Sequence, residues 1–374
     1  MPSEIWIERQ IATFDRCDPS ILTWDATPGA KPPPGVPTDC LQLDFDAPEE
    51  SPQRWWRRLA SVQDGNVCGP APDERRVLTR ALQASRPDVV LCHFGPVALR
   101  LLPIAEQAGI PVVVHFHGND ISSSLRNNRY YRWSLKRSIR RFAAAIVVGS
   151  HQRQILRSFG LPEERIALLP CGAPTHCFTT KANYRTDRCR FITVSRLVEW
   201  KGVEYTLRAF AQARQQRPDL QLHVVGNGPL QENLIRLARE LTGPHDVVFH
   251  GSKEPGDVCA LLMASDVFVQ HSLDHESGWT EGFGVSIAEA SACGLPVVVT
   301  DSGGIPDQVT DGENGFIAPQ RDIARLSELM LLLAGDEALR ERLGRAGRKR
   351  VIRSFDSRVL ARQLEDRLLE IAAR

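Results

Sequence analysis

The chain has 374 residues, 42% of them hydrophobic and 24% charged, and a formal net charge of +1. That length accommodates two domains of ordinary size, and the composition is that of a packed chain rather than a disordered one. So even a charge balance argues against nucleic acid as a partner, and any basic surface has to be local.

Nine cysteines, scattered without Cys-x-x-Cys pairs, suggest neither a disulfide framework nor a zinc site and fit a reduced, cytoplasmic compartment. No apolar run reaches the length of a membrane span, and MPSEIWIERQ lacks the apolar core of a signal peptide. The first 85 residues are irregular. GAKPPPGVP (29–37) reads as a loop or linker, and RWWRRL (54–59) as a partly buried helix face.

From residue 86 onward a rhythm sets in. Strands are predicted at 87–94, 111–117, 143–150 and 165–170, with helices at 96–109, 129–142 and 151–160 between them. Residues 171–188 break the pattern, which places a domain junction there. Strands then recur at 189–196, 220–226, 246–251, 265–272, 295–300 and 314–318. Helices are expected at 201–216 and 229–243, and three more close the chain at about 321–334, 336–353 and 357–373. Alternation of this kind implies an α/β protein of two Rossmann-like, doubly wound domains facing across a cleft. The boundaries expected are 1–175, 176–355, and a terminal helix at 356–374 that crosses back to the first domain.

Ligands of such sheets gather at the carboxyl ends of the strands, and this chain places polar and glycine-rich turns there. RLVEWKG follows the strand FITVS and sets Arg196 and Lys201 at that edge. VGNGP follows the next strand, where Gly226 and Gly228 let backbone N–H groups approach an anion beside a helix start. DSGGIP repeats the theme with Gly303 and Gly304. Together these elements would hold a diphosphate without a metal ion.

EGFGVSIAEASACGLPVVVT (281–300) carries Glu281 and Glu289 eight apart around the turn Gly282–Phe283–Gly284. Backbone N–H groups at the helix start near Gly284 are free of the helical ladder and can meet sugar hydroxyls. A carboxylate at 289 could clasp a ribose. Spacing alone is weak, since Glu232 and Glu240 are also eight apart; the Gly-rich turn and the apolar strand after it distinguish the useful pair.

These segments (VSRLVEWKG, VGNGPL, EGFGVSIAEASACGLPVVVTDSGGIPDQVTDGENGFIAP and HGND) resemble the retaining glycosyltransferases of family 4, which have the GT-B fold. SEIWIERQI and SLDHESGWTEG are most similar to the bacterial exopolysaccharide, colanic-acid-type subgroup. The resemblance implies that Arg196 and Lys201 hold the donor diphosphate and the leaving group. It also implies that Glu281, Phe283 and Gly284 contact the donor sugar, Glu289 the ribose, and that His117 faces the reacting carbon. The donor would be a UDP- or GDP-sugar, the acceptor a glycan or lipid-linked hydroxyl, and neither metal nor cofactor would be needed. Met1 stands almost at the segment where the family already has a strand behind it, so the resemblance implies a missing first strand.

LRNNRYYRWSLKRSIRRF (125–142) holds seven cations and no acid, interleaved with Tyr130, Tyr131, Trp133, Ile139 and Phe142. It reads either as a surface for an anionic membrane at the inner face of the cell or as a helix packed by its apolar stripe with solvated cations. His93, His115, His117, His271 and His275 gather no ligand set on a single element, so no metal is expected. Cys171 and Cys177 read as inert thiols. Beside the transferase, two alternatives stay open: a nucleotide-sugar epimerase or phosphorylase on the same plan, and a catalytically silent nucleotide-sugar-binding subunit.

Overall fold

The computed structural model describes residues 5–23, 35–40, 68–178, 180–181 and 183–374. The helix face expected at 54–59 and most of the loop expected at 29–37 lie outside them. The chain divides into two compact units, one made of residues 171–357 and the other of 2–170 together with 358–374.

In the second of these, strands β3 (Val90–His93), β4 (Val112–Phe116), β5 (Ala144–Val147) and β6 (Ile166–Leu168) form a parallel sheet in sequential order. A short parallel pair, β1 (Ile21–Thr23) with β2 (Thr38–Cys40), lies apart from it. All five residues of β4 are buried, as a strand covered on both faces requires. Val112, Val114 and Phe116 join one core with Leu99, Leu102, Leu135 and Phe142. Val113 points the other way and joins Ile146, Leu169 and the terminal helix Ser357–Ala372, whose Leu360, Leu364, Leu368 and Ile371 form its apolar stripe. A helix at Pro72–Ser85 interrupts the irregularity expected of the first 85 residues. Proline occupies its first turn, and the buried Glu74 side chain accepts from the Ala71 N–H at 2.7 Å.

One carboxylate of the terminal helix adds a polar tie to its apolar stripe. Glu365, fully buried, accepts from the backbone N–H groups of Asp15, Arg16 and Cys17 at 2.7–2.9 Å and from the Arg16 guanidinium.

The other unit is a six-stranded parallel sheet in the order β12-β11-β10-β7-β8-β9. Its strands are β7 (Arg190–Val194), β8 (Gln221–Val225), β9 (Val247–Gly251), β10 (Val267–Gln270), β11 (Val297–Thr300) and β12 (Phe316–Ala318). Phe191, Leu222, Val224, Val267, Val269 and Val298 share one core with the helices Val203–Gln216 and Ile323–Gly335. The chain runs outward from β7 through β9, then returns to the opposite side of β7 as β10. Order therefore reverses between β7 and β10, and such a switch point leaves a crevice beyond the strand ends.

Candidate functional site

At that reversal, the loops after β7 and β10 lie side by side. Leu273 N–H donates to the Trp200 carbonyl at 2.8 Å. Gly202, with φ +57°, presses so close to the His271 carbonyl that a Cβ would overlap it. The pairing brings Lys201 Nζ onto Glu281 as an ion pair, with side chains 16% and 11% exposed. Gln270 Nε2 and Ser272 Oγ donate to the same carboxylate oxygen at 3.0 and 3.3 Å. Burial alone would raise the Glu281 pKa, but the Lys201 charge and these hydrogen bonds outweigh it, and the carboxyl sits below its ordinary range.

Glycines set the rest of the rim. A Cβ at Gly226 (φ +124°) would overlap the Ser195 carbonyl, and one at Gly228 the Leu197 carbonyl. Leu197 N–H donates to the Asn227 carbonyl at 2.9 Å, so the turns after β7 and β8 meet backbone to backbone. Gly303 (φ +53°) packs equally close on the Glu281 carbonyl, which also accepts from Gly304 N–H at 2.9 Å.

Arg196 shares the loop with Lys201 but is exposed, and its guanidinium lies 5.8 Å from the centroid of the Trp200 ring. Trp200 in turn stacks on Trp279 at 4.4 Å with planes 3° apart, and the His275 imidazole meets Glu199 at 2.9 Å. These contacts tie the 274–280 loop to the segment bearing both cations.

Phe283 is 2% exposed and packs on Phe355, with centroids 5.4 Å apart. Its ring therefore faces the core, and only its backbone can serve a ligand. Gly284 (φ +81°) caps the helix Val285–Ala292. Glu289 lies inside that helix, half-buried, where its charge acts on the thiols of Cys259 and Cys293. Cys171 is half-buried; desolvation pushes its thiol up to about 12, with a further contribution from Glu281.

His117 belongs to the other unit, just beyond β4. Its backbone N–H donates to Asp120 Oδ1 at 3.0 Å, and the same carboxylate accepts from Gly118 and from Gly95 at the start of the helix Gly95–Gln107. Register pairs His93 with His115, and His117 follows two residues later, so three imidazoles converge at this strand end. His93 had no visible link to this group in a reading of single elements, because the sheet, not the local sequence, brings it in.

The basic segment divides cleanly. Tyr131, Leu135, Ile139 and Phe142 are buried, whereas Tyr130 and Trp133 are 41% and 46% exposed. Arg126, Arg129, Arg132, Lys136 and Arg137 are exposed with them, and Arg141 is paired with Glu106. No helix among the described residues is long and apolar enough to cross a membrane.

The sequence reading passed over Gln270 and Ser272, which support Glu281. Their signal was a polar residue closing the otherwise apolar strand SDVFVQ.

Residues 179–350 match the family described as glycosyl transferases group 1, and residues 9–172 the glycosyl transferase 4-like domain. A GDP-mannose-dependent monoacylated alpha-(1-6)-phosphatidylinositol monomannoside mannosyltransferase of Corynebacterium glutamicum is 31% identical over 80% of this chain and 81% of its own length. A Salmonella typhimurium protein named as the colanic acid biosynthesis glycosyltransferase WcaL is 29% identical over 84% of this chain and 79% of its own. Among solved structures, Anabaena Alr3699/HepE in complex with UDP-glucose superposes with a TM-score of 0.68 at 20% identity, over 80% of this chain and 82% of the other. The chain thus belongs to the group 1, family 4-type glycosyltransferases of GT-B fold.

Proposed function

We propose that this glycosyltransferase moves a hexose-type sugar from a UDP- or GDP-sugar to a hydroxyl of a glycan or lipid-linked acceptor, with retention at the anomeric carbon and no metal in the chemistry. The observation that carries this reading is the Lys201–Glu281 pair at the switch point, ringed by glycine turns. One relative is named as GDP-mannose-dependent, and one structural neighbour was solved with UDP-glucose. Both support a nucleoside-diphosphate donor.

In this reading Arg196, Lys201 and the strand-end backbone at Gly226 and Gly228 hold the diphosphate. Ion pairing with Glu281 fixes the Lys201 ammonium in place before the donor arrives, and its remaining N–H groups are left for phosphate oxygens. Glu281 and the backbone of Phe283 and Gly284 meet the donor sugar, and Glu289 the ribose. His117 serves as a neutral hydrogen-bonding partner to the sugar, since burial and the neighbouring imidazoles hold its pKa well down. Displacement proceeds on the front face through an oxocarbenium-like state, and the leaving phosphate accepts the acceptor's proton. Cations placed beforehand stabilise the charge that grows on that phosphate. We further assign the exposed basic, aromatic face of residues 126–137 to an anionic membrane surface, where a lipid-linked acceptor would lie.

Lys201→Ala tests the central assignment. Turnover should fall by ~10²–10³, or ~3 kcal/mol, as for loss of one electrostatic donor, while donor affinity, measured by calorimetry, falls much less. Equal losses in turnover and affinity would overturn it.

A further inference from the structure

His93 and His115 stand side by side on β3 and β4, and His117 follows on the same side of β4. His93 Nδ1 lies 3.1 Å from His117 Nε2. Ring centroids are 5.4 Å apart for His93 and His115, 5.3 Å for His93 and His117, and 4.1 Å for His115 and His117. One nitrogen from each lies within 4.8 Å of the others, and among the described residues no second group of three ligand-type side chains does so.

We propose that His93, His115 and His117 form a site for a borderline divalent cation, zinc in the first place. Zinc–nitrogen bonds of about 2.0–2.1 Å put two nitrogens of a tetrahedral ion roughly 3.3 Å apart. The His93–His117 pair already has that separation, and the third nitrogen needs a small side-chain adjustment. Three imidazoles without a carboxylate select zinc, copper or nickel over magnesium or calcium. His93 and His117 are only half-buried, which leaves an approach and a fourth position for water. Asp120 braces the ligand loop by taking the N–H groups of His117 and Gly118.

The rival arrangement is a stack of neutral imidazoles that merely share a hydrogen bond. The molecule contains one for comparison. His223 Nδ1 lies 2.8 Å from His250 Nε2, with rings 5.1 Å apart, and the second nitrogen of His223 faces Gln221 instead of a third histidine.

The inference rests on side-chain placement and not on the proposed transfer, so its test uses no sugar nucleotide. The full chain, stripped with a chelator, is titrated with Co²⁺ and then with Zn²⁺ as competitor, following the ligand-field bands. We expect one ion per chain with the spectrum of a tetrahedral site of three nitrogens and one water oxygen. His93→Gln should weaken binding by more than the roughly 10–100-fold that loss of an outer-shell partner costs, and His250→Gln should leave it unchanged. X-ray absorption on the wild-type zinc form should count three imidazoles, which guards against a histidine variant that simply misfolds. Failure to take up either ion, uptake that survives His93→Gln, or uptake abolished by His250→Gln would each overturn the proposal. If binding holds and His117 also meets the sugar, zinc and donor compete; zinc binding without inhibition would count against the role given to His117 and leave the metal site standing.

Discussion

Asp120 and Glu281 are largely buried carboxylates at the ends of parallel strands, one in each unit, yet their pKa values move in opposite directions. Asp120 takes its hydrogen bonds from backbone N–H groups. Burial raises its pKa, and four backbone hydrogen bonds only partly offset this. Glu281 faces the same burial, but the Lys201 ammonium carries it below the ordinary range. At Asp120 the oriented dipoles hold a loop without outweighing burial, whereas at Glu281 a full cation keeps the carboxylate ionised. The unit containing Glu281 thus brings its charges inward at the strand ends. The other keeps neutral imidazoles there and turns its cations outward, along the helix Arg129–Ser138.

The largest effect should come from breaking the frame around Glu281. Gly303→Ala places a methyl on the Glu281 carbonyl in a left-handed conformation. Overpacking of about 1–3 kcal/mol then adds to ~1–2 kcal/mol of backbone strain, read as a lower urea midpoint. Gly256, where an added Cβ meets nothing within 4 Å, supplies the control: its alanine variant should be neutral or slightly more stable. A tolerated Gly303→Ala would mean that the rim is soft.

Glu365 sharpens the comparison because it has both kinds of support. Burial opposes ionisation, but backbone N–H groups and the Arg16 guanidinium bring its pKa down to about 2. A carboxyl lowered on folding contributes stability that is fully present above its unfolded pKa and is lost as pH falls toward the folded value. The wild type should therefore lose stability between about pH 4.5 and 2 on this account. Glu365→Gln should be less stable at neutral pH by about 1–3 kcal/mol, from donors left unpaired, and should melt with a flatter acid limb. Parallel acid limbs for the two proteins would remove Glu365 from the account.

The smallest effect concerns the outward cations. Replacing Lys136 alone by glutamine should weaken sedimentation with anionic vesicles by about 1 kcal/mol. Arg141→Gln should matter less, since Glu106 already takes that charge. Binding indifferent to lipid charge would return this face to solvent.

Most strands from residue 86 onward were legible, because β-branched runs buried on both faces need no partner to be recognised. Their ends were not. SDVFVQHS suggested a strand at 265–272, whereas pairing covers only Val267–Gln270, since the residues beyond it turn into the loop that supports Glu281. Pro72–Ser85 escaped notice because its buried stripe is narrow, with Glu74, Leu78 and Leu82 a turn apart among charged neighbours. Pro255–Met263 was hidden by its Pro-Gly start and an apolar tail without clear periodicity. At the site, the glycine turns could be read locally. The close approach of Gly202 to His271, the Trp200–Trp279 stack and the place of His93 depend on strands far apart in the chain, and only register brings them together.

The terminal helix has a consequence for the order of events during synthesis. Val113, Ile146 and Leu169 belong to the sheet made from the first 170 residues, but the side chains that cover them come from residues 360–371. Until residues 360–371 have been made, that apolar face stays bare, although everything between residues 171 and 357 already precedes them in the chain. The usual N-terminal-first sequence of domain folding is inverted here: the unit of residues 171–357 can close upon itself while the earlier one waits for residues 358–374.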